Sequence, residues 1–249
     1  MITDATDGTA LSLLYHLNSA PWGRGGLEID PSRVAPRRPW PDAPPIALPE
    51  ADGDAKQVAK LAARRRSCRR FVARTMPLAT VASLLHACYG VTELRHETPS
   101  WARWGRTVPS AGGLYPLDLY VAARDVEALP DRVFRYDALE QSLTPLPDGR
   151  RDDVERTIFN PEFIAEANLL VVLCATFAAT QDKYGPRGYR YMLLEAGHAA
   201  QNLCLSATEL GCATLCLGGF DDDALNSAIG CRVLAEAALY CVAVGFAET

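Results

Sequence analysis

A chain of 249 residues, 49% hydrophobic and 22% charged, has the composition of an ordinary folded protein and the length of one large domain or two small ones. Its formal net charge of -5 excludes the broad basic footprint of a general nucleic-acid binder. The first twenty residues hold Asp4 and Asp7 but no Lys or Arg, and their apolar stretch from Leu11 to Leu17 is broken by Ser12 and His16. Neither an export signal nor a membrane span is expected there, and the protein reads as cytoplasmic. The eight cysteines sit largely in apolar runs, such as Cys174 in LVVLCATF and Cys241 in LYCVAVGF, as reduced buried thiols do. Cys212 and Cys216, the closest pair in sequence, have no second pair or nearby His, so no metal site is expected.

Residues 1–54 are expected to form an N-terminal helix and an extended arm, because 21–49 are rich in Pro, Gly and Arg without a helical or alternating period. The spacing of Val58, Leu61 and Ala62 predicts a helix over 54–66, with Asp54 as N-cap. Val81, Leu84, Leu85 and Cys88 mark a second helix over 78–89, ended by Gly90. Residues 91–108 read as a polar loop holding Trp101, Arg103, Trp104 and Arg106, either a lid or irregular surface. Alternation predicts a strand over 117–124 and two short strands within 132–146. The apolar run 167–177 predicts a central buried strand. A long helix over 188–210 follows, then strands at 213–217 and 239–246 around a short helix at 222–229. Without a regular βαβ rhythm, the class is α+β.

Four segments carry candidate chemistry, each with a plain structural alternative. RRRSCRRFVAR (64–74) holds six arginines in eleven residues. They are either solvated cations complementing a helix C-terminus or, through Arg65, Arg66, Ser67 and Arg69, a donor fork for phosphate. VPSAGGLYP (108–116) is either a turn into a strand or a glycine segment whose main chain approaches a planar ligand. LGGF (217–220) presents the same choice. DKYGPRGYR (182–190) is either a polar lead into the long helix or a source of proton-transferring Lys183 and Tyr184. Glu195, His198, Gln201 and Asn202 fit a satisfied polar network better than a metal set.

In this order, RRSCRRF (65–71), PSAGGLYP (109–116), KYGPRGYRY (183–191), EAGHAAQNLCLSA (195–207) and LGGF (217–220) resemble the nitroreductase superfamily. PSAGGLYP with KYGxRGYRY is similar to its SagB-type branch, the azoline (thiazoline) dehydrogenases of peptide natural-product pathways. The resemblance covers residues 55–246. It implies an α+β nitroreductase-like fold over 55–249, a central mixed or antiparallel sheet flanked by helices, and an intertwined homodimer with FMN at the subunit interface.

By position, the resemblance gives Arg65, Arg66, Ser67 and Arg69 to the phosphate and ribityl chain. Pro109, Ser110, Ala111 and Gly113 match a loop that the partner subunit presents to the flavin. Leu217, Gly218 and Gly219 match the backbone facing the ring, and Lys183 and Tyr184 match the proton-transfer pair. The arginine-rich segment, or Arg187 and Arg190, would stand in for basic residues that the family carries near its C-terminus. The activity implied is FMN-dependent dehydrogenation of an azoline or related heterocyclic or amino-acyl unit, peptidyl or carrier-bound and delivered by a partner protein. An NAD(P)H-dependent nitro or ene reductase and a non-catalytic flavin-bound scaffold are the alternatives.

Overall fold

The computed structural model describes residues 5–19, 46–49, 53–94, 104–232 and 234–248. Most of the expected arm, and Trp101 and Arg103 of the expected lid, lie outside the described residues. The backbone runs through α1 (Ala5–Ser19), α2 (Gly53–Arg64), α3 (Leu78–Tyr89), β1 (Val91–Leu94), β2 (Trp104–Arg106), β3 (Leu117–Ala123), β4 (Arg132–Asp137), β5 (Ser142–Arg150) and α4 (Arg151–Glu155). It continues through β6 (Leu169–Thr176), α5 (Ala178–Tyr184), α6 (Arg187–Glu209), β7 (Ala213–Leu217), α7 (Asp222–Ala228) and β8 (Glu236–Gly245). No described helix is long and apolar enough to cross a membrane.

The main sheet has the order β5-β4-β3-β6-β8-β7, and each neighbouring pair is antiparallel. β6 lies inside it and is buried on both faces, which explains its unbroken run of apolar, mostly branched residues. Leu169, Val171, Leu173 and Ala175 enter the core beneath α3 and α6, while Leu170, Val172 and Cys174 enter a second core with Val154 of α4 and Leu225 of α7. The fold is therefore α+β, with helices on both faces of an antiparallel sheet.

Two departures from the sequence reading bear on the site. Part of the expected 91–108 loop pairs as an antiparallel ribbon, Val91 opposite Arg106 and Leu94 opposite Trp104. The segment leading into α6 is itself helical, because α5 ends at Tyr184 and turns through Gly185 and Pro186 into α6. Gly188 permits that tight turn. A Cβ there would stand 2.9 Å from the Gln181 nitrogen and the Thr180 carbonyl carbon.

Arg151 holds the second core to the sheet. Its side chain is 1% exposed and donates to the carbonyls of Ala122 at 2.6 Å, Ala167 at 3.0 Å and Asn168 at 3.3 Å, with the Glu155 carboxylate 3.6 Å away. Burial, and then the neighbouring Arg124 cation, pushes this guanidinium down to about 10. Arg151→Met removes the side-chain donor from the Ala122 and Ala167 carbonyls, while the Asn168 carbonyl keeps the Arg124 N–H at 2.8 Å. It is expected to cost about 3 kcal/mol in urea unfolding, as removal of one member of a buried charged network does. An unchanged midpoint would show that the carbonyls find other donors.

Candidate active site

Lys183 and Tyr184 end α5 beside the 109–113 loop. A Cβ at Gly112 would lie 2.5 Å from the Tyr184 hydroxyl oxygen and 2.7 Å from Lys183 Nζ, and Gly112 also has φ +65°. The positive φ favours glycine, and the loop main chain comes directly against the two polar side chains. Tyr184 is half-buried, with Lys183 Nζ 5.4 Å from its ring centroid and the Tyr191 ring edge-on at 5.1 Å. Pro109 is exposed, and Ser110, Ala111 and Gly113 are partly exposed. A cleft of about 620 Å³ opens from Tyr184 between α1 and the first turns of α6, where Arg187 and Arg190 face Tyr15. Neither arginine forms an ion pair among the described residues.

The loop is held from behind by a buried network. Tyr89 donates to Glu195 at 2.5 Å, and the Tyr89 hydroxyl accepts from the Leu117 N–H at 3.2 Å. The Ser110 hydroxyl accepts from the Tyr115 N–H at 2.9 Å and is also hydrogen-bonded to Glu195. Arg106 lies over the Tyr89 ring at 4.5 Å and over Tyr115 at 5.6 Å, and donates to the Tyr89 carbonyl. Asn202 fastens the start of the loop by donating to the Thr107 carbonyl at 3.0 Å. Glu195 is 2% exposed, and burial raises its carboxyl despite these donors. Of the four polar α6 residues read as a network, Glu195 and Asn202 belong to it, whereas His198 and Gln201 are exposed. Tyr89 and Arg106 were missed as site residues; their partners lie across the fold.

The second group of candidates gathers at the other end of α6. Ser67 bridges to Thr214 of β7, and the Cys68 N–H donates to the Thr214 carbonyl at 2.8 Å. Arg65 reaches Ser67 at 3.4 Å, and Arg69 lies 5.8 Å from the Phe163 ring centroid. Arg66 instead folds back on the Ala63 and Arg65 carbonyls, acting locally as a helix-end cation. Arg65, Arg66 and Arg69 form no ion pair among the described residues, and of the four candidates the structure brings Arg65 and Ser67 into contact. Such a donor set suits a phosphate. Leu217 is buried, while a Cβ at Gly218 would meet nothing within 4 Å, leaving the main chain there open to a flat ligand.

Residues 62–246 match the model of the nitroreductase family. The chain belongs to the nitroreductase family. A Methanocaldococcus jannaschii protein named as a nitroreductase is 35% identical over 164 residues, 66% of this chain and 79% of that protein. The Escherichia coli Microcin B17-processing protein McbC is 28% identical over 123 residues, 47% of this chain and 45% of McbC. Among solved structures, a chain of the E. coli microcin synthetase McbBCD complex with truncated pro-MccB17 bound superposes with TM-score 0.77 at 19% identity, covering 99% of this chain and 95% of that one. A Desulfovibrio desulfuricans nitroreductase-type protein in complex with FMN superposes with TM-score 0.53 at 17% identity, covering 80% of this chain and 89% of that one. This nitroreductase-family chain is thus an oxidoreductase by kinship, with the two candidate segments at opposite ends of one helix.

The buried carboxyl gives the loop a pH signature. Because Glu195 is raised in the folded protein, its contribution is fully present below its ordinary value of 4.5 and is lost as pH rises through the raised value. Glu195→Gln keeps an acceptor for Tyr89 but cannot ionise. Its urea midpoint should therefore stay flat over the interval in which the wild type declines. Tyr89→Phe should cost about 1–3 kcal/mol by leaving buried partners unsatisfied. Parallel pH profiles for wild type and Glu195→Gln would contradict this assignment.

Proposed function

We propose that this protein is an FMN-dependent dehydrogenase that oxidises an azoline, or a related heterocyclic or amino-acyl unit, in peptide natural-product biosynthesis. The observation that carries this reading is the contact of the 109–113 loop with Lys183 and Tyr184, two side chains able to exchange a proton, beside a segment that the family resemblance assigns to the flavin. Similarity to the Microcin B17-processing protein supports a peptidyl substrate, with a carrier-bound one and delivery by a partner protein as part of the same reading. FMN, when bound, supplies the two-electron acceptor. Residues 55–249 form the FMN-binding domain in this reading, and 1–54 the helix and arm appended to it.

Arg65, Arg69 and Ser67 hold the FMN phosphate, with Arg66 completing the local positive charge. Leu217, Gly218 and Gly219 would offer main chain to the ring, and Pro109, Ser110, Ala111 and Gly113 would form the loop presented to it. Lys183 or Tyr184 accepts the proton that must leave the substrate when its C–H bond is oxidised, and the other orients the ring. The Arg187 and Arg190 cleft holds the substrate beyond the reacting ring.

The two groups lie at opposite ends of α6, a 23-residue helix that spans roughly 33 Å at about 1.5 Å per residue. That separation supports a homodimer in which the fork of one subunit faces the loop and the Lys183–Tyr184 pair of its partner. The exposed Leu193, Leu194 and Gly197 of α6 give such a dimer an apolar seam. A second reading, an NAD(P)H-dependent reductase, is favoured by the name of the 35% identical relative. Rapid anaerobic bleaching of the flavin by NAD(P)H would establish it over the dehydrogenase.

The purified protein should be yellow and release FMN on denaturation. Replacing Arg65 and Arg69 together with Ala should reduce occupancy, each charge-assisted contact contributing about 1.5–3 kcal/mol. A protein that is colourless and takes up no added FMN would end the flavoenzyme reading. Lys183→Ala and Tyr184→Phe should keep FMN while slowing substrate oxidation at least about a hundredfold; full activity in both would remove them from the mechanism. Mixed dimers of an Arg65/Arg69 double variant with Lys183→Ala should regain one working site. No recovery would show that fork and pair act within one chain.

A further inference from the structure

The fold brings together cysteines that the sequence keeps apart. Cys204 of α6 and Cys216 of β7 have their Sγ atoms 3.6 Å apart, and Cys174 and Cys231 have theirs 3.0 Å apart. Neither pair is a disulfide. Their surroundings differ in sign. Cys216 is exposed, beside Tyr240 and the Arg65 cation, whereas Cys174 is 2% exposed and faces the Asp118 and Glu236 carboxylates. A thiolate is the reactive form of cysteine, and a nearby cation favours it while buried surroundings and nearby anions oppose it.

We propose that Cys204 and Cys216 form a peroxide-oxidisable dithiol, with Cys216 as the attacking sulfur and Cys204 as the resolving one. Hydrogen bonding from Cys204, then from Tyr240, and then the Arg65 charge hold the Cys216 thiol down at about 6 against the opposing effect of burial. Cys204, 3% exposed, is pushed up and keeps its proton. The Cys216 thiolate attacks one oxygen of hydrogen peroxide. An S–O bond forms, the O–O bond breaks, and the departing hydroxide leaves as water, giving a sulfenic acid. Cys204 Sγ then attacks that sulfur, the S–S bond forms, and the S–O bond breaks to release a second water. Two thiols and one peroxide become a disulfide and two waters. The peroxide takes up two electrons, one from each cysteine.

Closure requires the sulfurs to approach from 3.6 Å to about 2.0 Å, the length of an S–S bond. Cys216 immediately precedes the Leu217–Gly219 segment, and its neighbour Arg65 belongs to the fork, so closure acts on strand β7 at the proposed cofactor site. Dioxygen accepting two electrons from a reduced flavin would supply the peroxide; that source and the cofactor site beside β7 rest on the proposed function, and the dithiol itself does not.

The test uses the protein as purified and added hydrogen peroxide, and it reads thiols rather than flavin or activity. After peroxide and alkylation with N-ethylmaleimide, two of the eight thiols should be lost. Peptide mass mapping should show a Cys204–Cys216 link, and dithiothreitol should restore all eight. Cys216→Ser, a change at an exposed position, should abolish the loss. Cys204→Ser should leave Cys216 trappable by dimedone, and Cys174→Ser should leave the link intact. Eight titratable thiols after peroxide, or a link between Cys174 and Cys231 instead, would overturn the proposal. Either result leaves the flavin reading standing, and a protein that binds no FMN but forms the link leaves the dithiol standing.

Discussion

A buried carboxyl sets the geometry on which the candidate site depends. Glu195 sits on α6 with almost no exposure, joins Tyr89 from α3 and Ser110 from the loop, and is flanked by Arg106 from the β1–β2 ribbon. Burying such a group is costly unless its polar partners are supplied, so those elements are obliged to meet at one point. Once they do, the 109–113 main chain has little freedom, and Gly112 lets it rest against Lys183 and Tyr184. Packing behind the loop thus adds to the Tyr191 ring, edge-on to Tyr184, in positioning the pair.

α6 then acts as a ruler. Its first turns carry the cleft and follow the Lys183–Tyr184 pair, while its last turn approaches the arginine segment through Arg64 and Glu209, 3.4 Å apart. That exposed ion pair adds little stability, but it marks where α2 delivers the fork. Arg187 and Arg190 are consequently remote from the fork within one chain. As phosphate ligands they would need to come from a second subunit, and as walls of the cleft beside Tyr184 they need nothing further.

Much of the fold was legible because burial follows periodicity. The continuous run at 167–177 became the doubly buried β6, and the apolar stripe at Val81, Leu84, Leu85 and Cys88 became the buried face of α3. What escaped was nonlocal or short. The β1–β2 pairing joins segments separated by residues with no strand-like pattern, and α5 is only seven residues long, close to the glycine and proline that suggested a loop. The same limit governed the site. Its loops were visible from glycine and arginine patterns, but the links of Tyr89 and Arg106 to Glu195 depend on contacts between distant parts of the chain. Arg66 shows the converse: its residue type suits a phosphate, yet local carbonyls capture its guanidinium.

The cysteines extend this point from position to chemistry. In sequence Cys212 and Cys216 look like the pair, being four residues apart, but Cys212 lies in the core with its thiol raised by burial, while Cys216 projects to the surface from β7. Strand alternation separates the burial of Leu215 and Leu217 from the exposure of Cys216, and the neighbouring helix face brings in Cys204 instead. Two contacts of similar length between thiols thus acquire opposite character. One is joined to a surface beside a guanidinium, and the other is held among carboxylates and a doubly buried strand. Proximity alone does not make a redox pair; the charge that can stabilise the thiolate decides which thiol reacts.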